Sequence, residues 1–203
     1  MIRSLMILAG ACFGAPVLAQ EGPSFDCAAA ETTAEELVCG DADLAALDRL
    51  VAERYAAALE VVQNQEAGAV EAADTLRASQ RGWIGGRDEC WKSDDPRACV
   101  EWEYQRREGD LVAKYMLEEP TGTAFFQCGE SPANELVAMF FDTVLPSARL
   151  ERGDRVSTAS LARTASGSRY DGDLGEYLWI HGEEATYREP DPDGTEHDCV
   201  QVN

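Results

Sequence analysis

Apolar positions in the first 118 residues recur with the three- and four-residue spacing of one face of an α-helix. Thr32 followed by Glu35 has the form of a capping box, in which two side chains satisfy each other's backbone amides, and it opens a short helix towards Cys39. Leu44, Leu47, Val51, Tyr55 and Val62 make a second stripe, and Leu76, Gln80, Trp83, Arg87 and Cys90 a third. Gly85-Gly86 weakens the third helix and predicts a bend there, while Gly68 lies close to the turn before it. Asp95-Pro96 reads as an N-cap and first-turn proline for a last helix through Met116.

The pattern changes near Glu118-Glu119-Pro120-Thr121-Gly122. Beyond Pro120 the apolar segments are short and alternating, predicting strands over 124–127, 136–141, 148–150, 156–161, 177–180, 185–188 and 200–202. Turn residues separate them at short intervals, as in a small sandwich or barrel. The expectation is an α+β chain in two domains, helical over residues 20–118 and β over 124–203, with a linker at 119–123. No internal repeat relates the two halves.

Residues 1–19 read as a targeting segment: Arg3 supplies a positive start, Leu5 to Phe13 an apolar run, and Val17-Leu18-Ala19 a small-residue cleavage site, so the mature chain begins at Gln20. The apolar run is too short to span a bilayer. Ala9-Gly10-Ala11-Cys12 faintly resembles a lipidation box, which makes attachment through Cys12 the weaker alternative to a periplasmic or secreted product. Six of the seven cysteines remain after cleavage, an even number that in an exported chain indicates a disulfide framework with 15 possible connectivities. Pairing neighbours in sequence gives Cys27–Cys39 and Cys90–Cys99, leaving Cys128–Cys199. No CxxC pair or nearby histidine supports zinc instead.

With 45% hydrophobic residues over 203 positions the chain can bury a real core. Its charge changes the picture more. Seventeen Lys and Arg stand against 38 Asp and Glu, for a net charge of −21. Nucleic acid and anionic membranes would repel such a surface, and a cationic protein would be drawn to it.

In the helical half, Gln80, Trp83, Arg87, Asp88, Cys90, Cys99, Tyr104 and Arg107 form the obvious cluster. An Arg/Asp pair beside a tryptophan at helical spacing reads first as a structural ion pair and core. The stretch from Phe25 to Leu111, with Leu47-Asp48-Arg49, Gln-x-x-Trp at 80–83 and Arg-Asp-x-Cys at 87–90 in order, resembles the N-terminal domain of the LprI-like lysozyme inhibitor family. That domain occurs in proteins of differing roles, so the resemblance says little about function.

The second half is more informative. FQCG at 126–129, ASGSRY at 165–170, LWIHGEEATY at 178–187 and DC at 198–199 together resemble the membrane-bound inhibitor of c-type lysozyme, the MliC family, over about 125–201. The resemblance implies a small antiparallel β-barrel. It also implies a Ser-Gly-x-x-Tyr loop paired with a Trp-x-Lys-Gly loop, whose serine and lysine enter the lysozyme cleft and engage its two catalytic carboxylates. Ser166 and Gly167 carry over directly. Arg169 and Tyr170 are expected to fix that loop, with Arg169 also able to face the partner, and Trp179 reads as core rather than contact. The lysine position is His181, followed by Gly182, and the connection between the loops carries extra residues around Asp173 to Gly175. Histidine is shorter than lysine and is charged mainly below neutral pH.

The implied partner is a c-type lysozyme, with no cofactor, metal, nucleic acid or membrane span. A second possibility is a non-inhibitory acidic envelope protein that binds another cationic protein or peptidoglycan. Ser166, His181 and an aspartate do not make a convincing hydrolase, because no nucleophile elbow surrounds Ser166 and the chain has two histidines. The run EPDPDGTEHDC, with Asp191, Asp193 and His197, departs from a calcium loop by its prolines and by Val200 where a bidentate Glu belongs, and reads as a hairpin loop.

Overall fold

A computed structural model describes residues 22–131, 134–191 and 194–202. The expected leader, its cleavage site and Cys12 lie outside the described residues, as does Asp193. Four helices come first: α1 (Thr33–Gly40), α2 (Ala42–Gln63), α3 (Ala69–Asp88) and α4 (Pro96–Tyr115). Eight strands follow: β1 (Gly122–Cys128), β2 (Glu135–Phe141), β3 (Ser147–Arg152), β4 (Arg155–Ala162), β5 (Ser168–Gly172), β6 (Tyr177–His181), β7 (Glu184–Arg188) and β8 (Glu196–Val202).

Local chemistry sets the helix ends. Thr32 and Glu35 form the reciprocal capping box of α1, Asp41 accepts from the amides of Asp43 and Leu44 to cap α2, and Asp95 caps α4 with Pro96 in the first turn. The helix is not interrupted at Gly85-Gly86, and α3 runs through both glycines to Asp88. Neither glycine is crowded, and the flanking Trp83 and Arg87 hold that turn against α4, which offsets a glycine cost of about 1 kcal/mol per residue.

The helices close over Val38, Leu44, Val51, Val62, Leu76, Val100, Tyr104 and Leu111, with Leu47 and Tyr55 packed at the margin. Trp83 packs edge-on against Tyr104 at 5.2 Å and donates to the Glu103 carbonyl. Arg87 donates to the Tyr104 hydroxyl at 2.7 Å, and Tyr104 donates to Asp48 at 2.8 Å. Burial pushes the Tyr104 phenol far up. Cys27–Cys39 ties the leading 3-10 turn to α1, and Cys90–Cys99 ties the 3-10 turn after α3 to α4.

All eight strands pair antiparallel with their sequence neighbours, and β8 returns to β1 to close a barrel. Phe126, Leu136, Leu150, Leu178 and Tyr187 fill the interior between small residues Ala138, Ala148, Ala159 and Ala185, a mixture of sizes that lets a narrow barrel close. Cys128 stands opposite Cys199 in the β1–β8 register, and their disulfide spans 71 residues.

One helix joins the two parts. Val112 and Ala113 of α4 pack on Phe141, with Met139 and Leu117 at the edge. Gly109 lies against Ser147 so closely that a Cβ would come within 2.9 Å of the serine Cβ. Around this contact Glu108 is buried and accepts from the Val144 amide at 3.1 Å, with Arg54 at 3.4 Å, and Asp110 accepts from the Thr158 hydroxyl at 2.7 Å.

Candidate functional site

The turn entering β5 and the turn leaving β6 lie side by side at one end of the barrel. Their proximity follows from register: Ser168 pairs with Ile180, which sets Gly167 beside His181. Gly167 has φ +68°, and a Cβ there would fall 2.2 Å from the Ile180 carbonyl oxygen and 2.9 Å from His181 Nδ1. Only glycine permits this approach. Gly182 has φ +67° in the two-residue turn between His181 and Glu184, with glycine first as type II′ turns require. Ser166, Gly167, His181 and Gly182 are all exposed.

Trp179 ties the two turns together. Its Nε1 donates to the Ser166 carbonyl at 3.0 Å, and its ring lies 4.6 Å from that of His181. The Thr164 hydroxyl donates to the same carbonyl at 3.1 Å, so two side chains fix the backbone of Ser166. The expectation that Trp179 belongs to the core is therefore corrected. Leu178 and Ile180 face the interior, and strand alternation turns Trp179 outward with His181. That period-two signal was available in Leu-Trp-Ile-His and identifies Trp179 as a support missing from the expected set; Thr164, in the loop between β4 and β5, is the other, and no strand periodicity marks it.

Arg169 and Tyr170 lie on a strand, β5, rather than in a loop. Tyr170 points inward, with its ring 5.2 Å from Phe140, and burial raises its phenol. It anchors the hairpin from beneath. Arg169 faces outward, opposite Trp179; it pairs with Asp171 at 2.7 Å and stacks over Tyr177 at 4.0 Å. Its guanidinium is thus engaged along its own hairpin. The additional residues Asp173 to Gly175 form a 3-10 turn at the far end of the same hairpin.

The surroundings are acidic. Glu184 stands opposite His181, and Glu184, Thr186 and Asp198 line, with His181, a hollow of about 410 Å³ on the outer face of β6, β7 and β8. Among the described residues no group of three or more His, Cys, Asp or Glu is placed to hold a metal ion. His197, from the aspartate-rich stretch, instead lies 3.0 Å from Glu189, which also pairs with Arg152; these two partners keep the Glu189 carboxyl below its usual range against the opposing effect of burial. No helix among the described residues is long and apolar enough to cross a membrane.

Two family models match the chain. That of the membrane-bound lysozyme-inhibitor of c-type lysozyme covers residues 126–196, and that of lysozyme inhibitor LprI covers 26–96. The first contains both turns of the candidate site. Among curated proteins, lipoprotein LprI of Mycobacterium tuberculosis (strain ATCC 25618 / H37Rv) is 32% identical over 164 residues, which is 79% of this chain and 76% of the relative. Lipoprotein LprI of Mycobacterium bovis matches to the same extent.

Proposed function

The chain belongs to the family of the lipoprotein LprI, and on that premise we propose that it is an exported inhibitor of c-type lysozyme whose barrel fills the enzyme's cleft with Ser166 and His181. The observation that carries this reading is the close approach of Gly167 to His181, which presents an exposed hydroxyl and an exposed imidazole on one rigid edge. A retaining glycosidase of this class works with one protonated acid and one ionised carboxylate about the sugar bond. A serine hydroxyl hydrogen-bonds a carboxyl in either state. A protonated imidazole supplies a charge-assisted bond to the other, and the filled cleft excludes substrate. Inhibition is by occupancy, and no bond is made or broken.

Histidine in the position of the family's lysine is shorter and carries charge only when protonated, so inhibition is either weaker than with lysine or strengthens at mildly acidic pH until the lysozyme carboxylates themselves take up protons. Titrating residues 20–203 into c-type lysozyme at pH 6 and 7.5 in a lysis assay tests the reading, with Ser166→Ala and His181→Ala alongside. Saturable inhibition lost in Ser166→Ala is the expected result. Full inhibition by both variants at both pH values would rule the two turns out.

The net charge of −21 supports a second reading, an acidic envelope protein that engages another cationic partner. A purely charge-driven interaction survives Ser166→Ala. Envelope location follows from either route of export. Cleavage near Ala19 yields a periplasmic or secreted product, and the lipoprotein name of the relatives favours a lipid on Cys12. The intact mass of the exported protein distinguishes the two.

A further inference from the structure

The hairpin β5–β6 has two ends. One carries the Gly167–His181 contact, and the other, about 20 Å away at the usual strand rise, is the 3-10 turn Asp173–Gly175. That turn reaches the helical part. Asp173 forms an ion pair with Arg106 of α4, whose guanidinium also lies 5.4 Å over the Trp102 ring. Glu103 and Asp110 add their charges to the field at Arg106, which therefore faces three carboxylates, while the neighbouring Arg107 also acts on Asp110. Beside it, Asp110 of α4 accepts from Thr158 of β4. The Thr158 carbonyl lies 3.1 Å from where a Cβ on Gly172, the last residue of β5, would stand. The turn is closed by its own backbone: Gly172 donates to the Glu176 carbonyl at 2.8 Å, and Glu176 donates to that of Asp173 at 3.0 Å. Leu174 between them adopts φ +54°, a conformation costly for a side chain of this kind.

We propose that Arg106 and Asp173 are positioning residues through which the helical part sets the orientation of the hairpin bearing Ser166 and His181. The helical part then contributes to inhibition without touching lysozyme. Its grip on the connecting turn of the hairpin restricts how the two turns at the other end present themselves, and a site held in its bound geometry loses less freedom on docking. The turn Asp173–Gly175 is the sequence feature that makes this possible, because it brings a carboxylate out from the barrel to α4. The consequence for inhibition rests on the function proposed above; the mechanical link does not.

The test uses the full mature chain. Asp173→Asn and Arg106→Gln are made singly and together, with Asp173→Glu as the conservative restoration. Asp173 is 80% exposed, so its substitution leaves the melting temperature unchanged. Hydrogen exchange at the amides of 168–172 and 177–181 is followed without lysozyme, and inhibition is measured in parallel. Faster exchange in both single variants is expected, with inhibition weakened about threefold to fivefold, as for a partly exposed ion pair. The double variant is no worse than either single, and Asp173→Glu recovers both readouts. Exchange unchanged from wild type overturns the proposal, as do additive losses in the double variant. Weaker inhibition by Arg106→Gln with unchanged exchange also overturns it, since Arg106 would then be contacting lysozyme directly. If the variants exchange faster but the wild type does not inhibit, the function proposed above falls and the link between α4 and the hairpin stands.

Discussion

Replacing Gly167 with alanine tests the contact at the centre of the site. The added Cβ would sit 2.2 Å from the Ile180 carbonyl oxygen. Carbon and oxygen rarely approach closer than about 3.3 Å, so the two turns must part by roughly 1 Å. The backbone at φ +68° adds a left-handed penalty of about 1–2 kcal/mol for any residue with a side chain. Together these favour a displaced loop, which breaks the Trp179 bond to the Ser166 carbonyl and separates the His181 ring from that of Trp179. A destabilisation of about 2 kcal/mol lowers the melting midpoint of a chain this size by about 4–8 °C. Loss of one charge-assisted contact in the cleft weakens inhibition at least about tenfold. Gly153→Ala is the matched control: φ there is +58° and nothing lies within 4 Å of the new Cβ, so it introduces backbone strain without a clash. It should lower the midpoint and leave inhibition intact. Wild-type inhibition by Gly167→Ala would refute the claim that the two turns act as one surface.

Trp179→Phe keeps a ring beside His181 and removes the donor to Ser166, so inhibition should fall about fivefold, the worth of one hydrogen bond, as read in the same lysis assay. Removing the Cys128–Cys199 bridge by paired alanine substitution should lower stability by about 4 kcal/mol in the loop-entropy model, measured by urea unfolding. Burial raises the Glu108 carboxyl above its ordinary value, and the folded state therefore holds that proton more tightly than the unfolded chain. The stability it contributes is present below the unfolded value and is lost as pH rises through the folded one. Glu108→Gln lacks this loss, so its stability relative to wild type should improve between pH 4.5 and neutrality; a pH-independent difference in unfolding free energy refutes the assignment.

Much of the helical half was legible because its signals are local. Thr32 with Glu35, and Asp95 with Pro96, specify caps within a few residues, and the stripe from Leu44 to Val62 needs only helical periodicity. Cysteines close in sequence pair in the structure for the same reason. Strand β5 was not legible. Ser-Arg-Tyr-Asp-Gly contains one apolar inward residue, Tyr170, and its partners in β4 and β6 supply the stabilisation that the segment lacks by itself. The role of Trp179 was obscured by its size, since a large aromatic between two apolar neighbours resembles core until alternation is applied to all four residues. The association of α4 with the barrel is a product of tertiary packing, in which Gly109, Glu108 and Asp110 meet Ser147, Val144 and Thr158 from distant parts of the chain. Nothing local in either segment announces that meeting.

Charge and shape act at different stages of the proposed encounter, and this separation is itself testable. The net charge of −21 extends over the whole surface, and the acidic groups beside the site, Glu184 and Asp198, share its sign. Such a field accelerates approach of a cationic protein and is screened within about 10 Å at 0.1 M salt. Ser166 and His181 act only after contact, across distances that salt does not screen. Raising salt from 50 to 300 mM should therefore reduce the association rate by about tenfold or more while changing the dissociation rate little. Ser166→Ala should do the reverse, with faster dissociation and an association rate within about twofold of wild type. Surface-immobilised lysozyme and stopped-flow fluorescence both resolve the two constants. A Ser166→Ala variant that loses affinity entirely through slower association would mean that the serine shapes the loop before docking rather than bonding a carboxyl within the cleft.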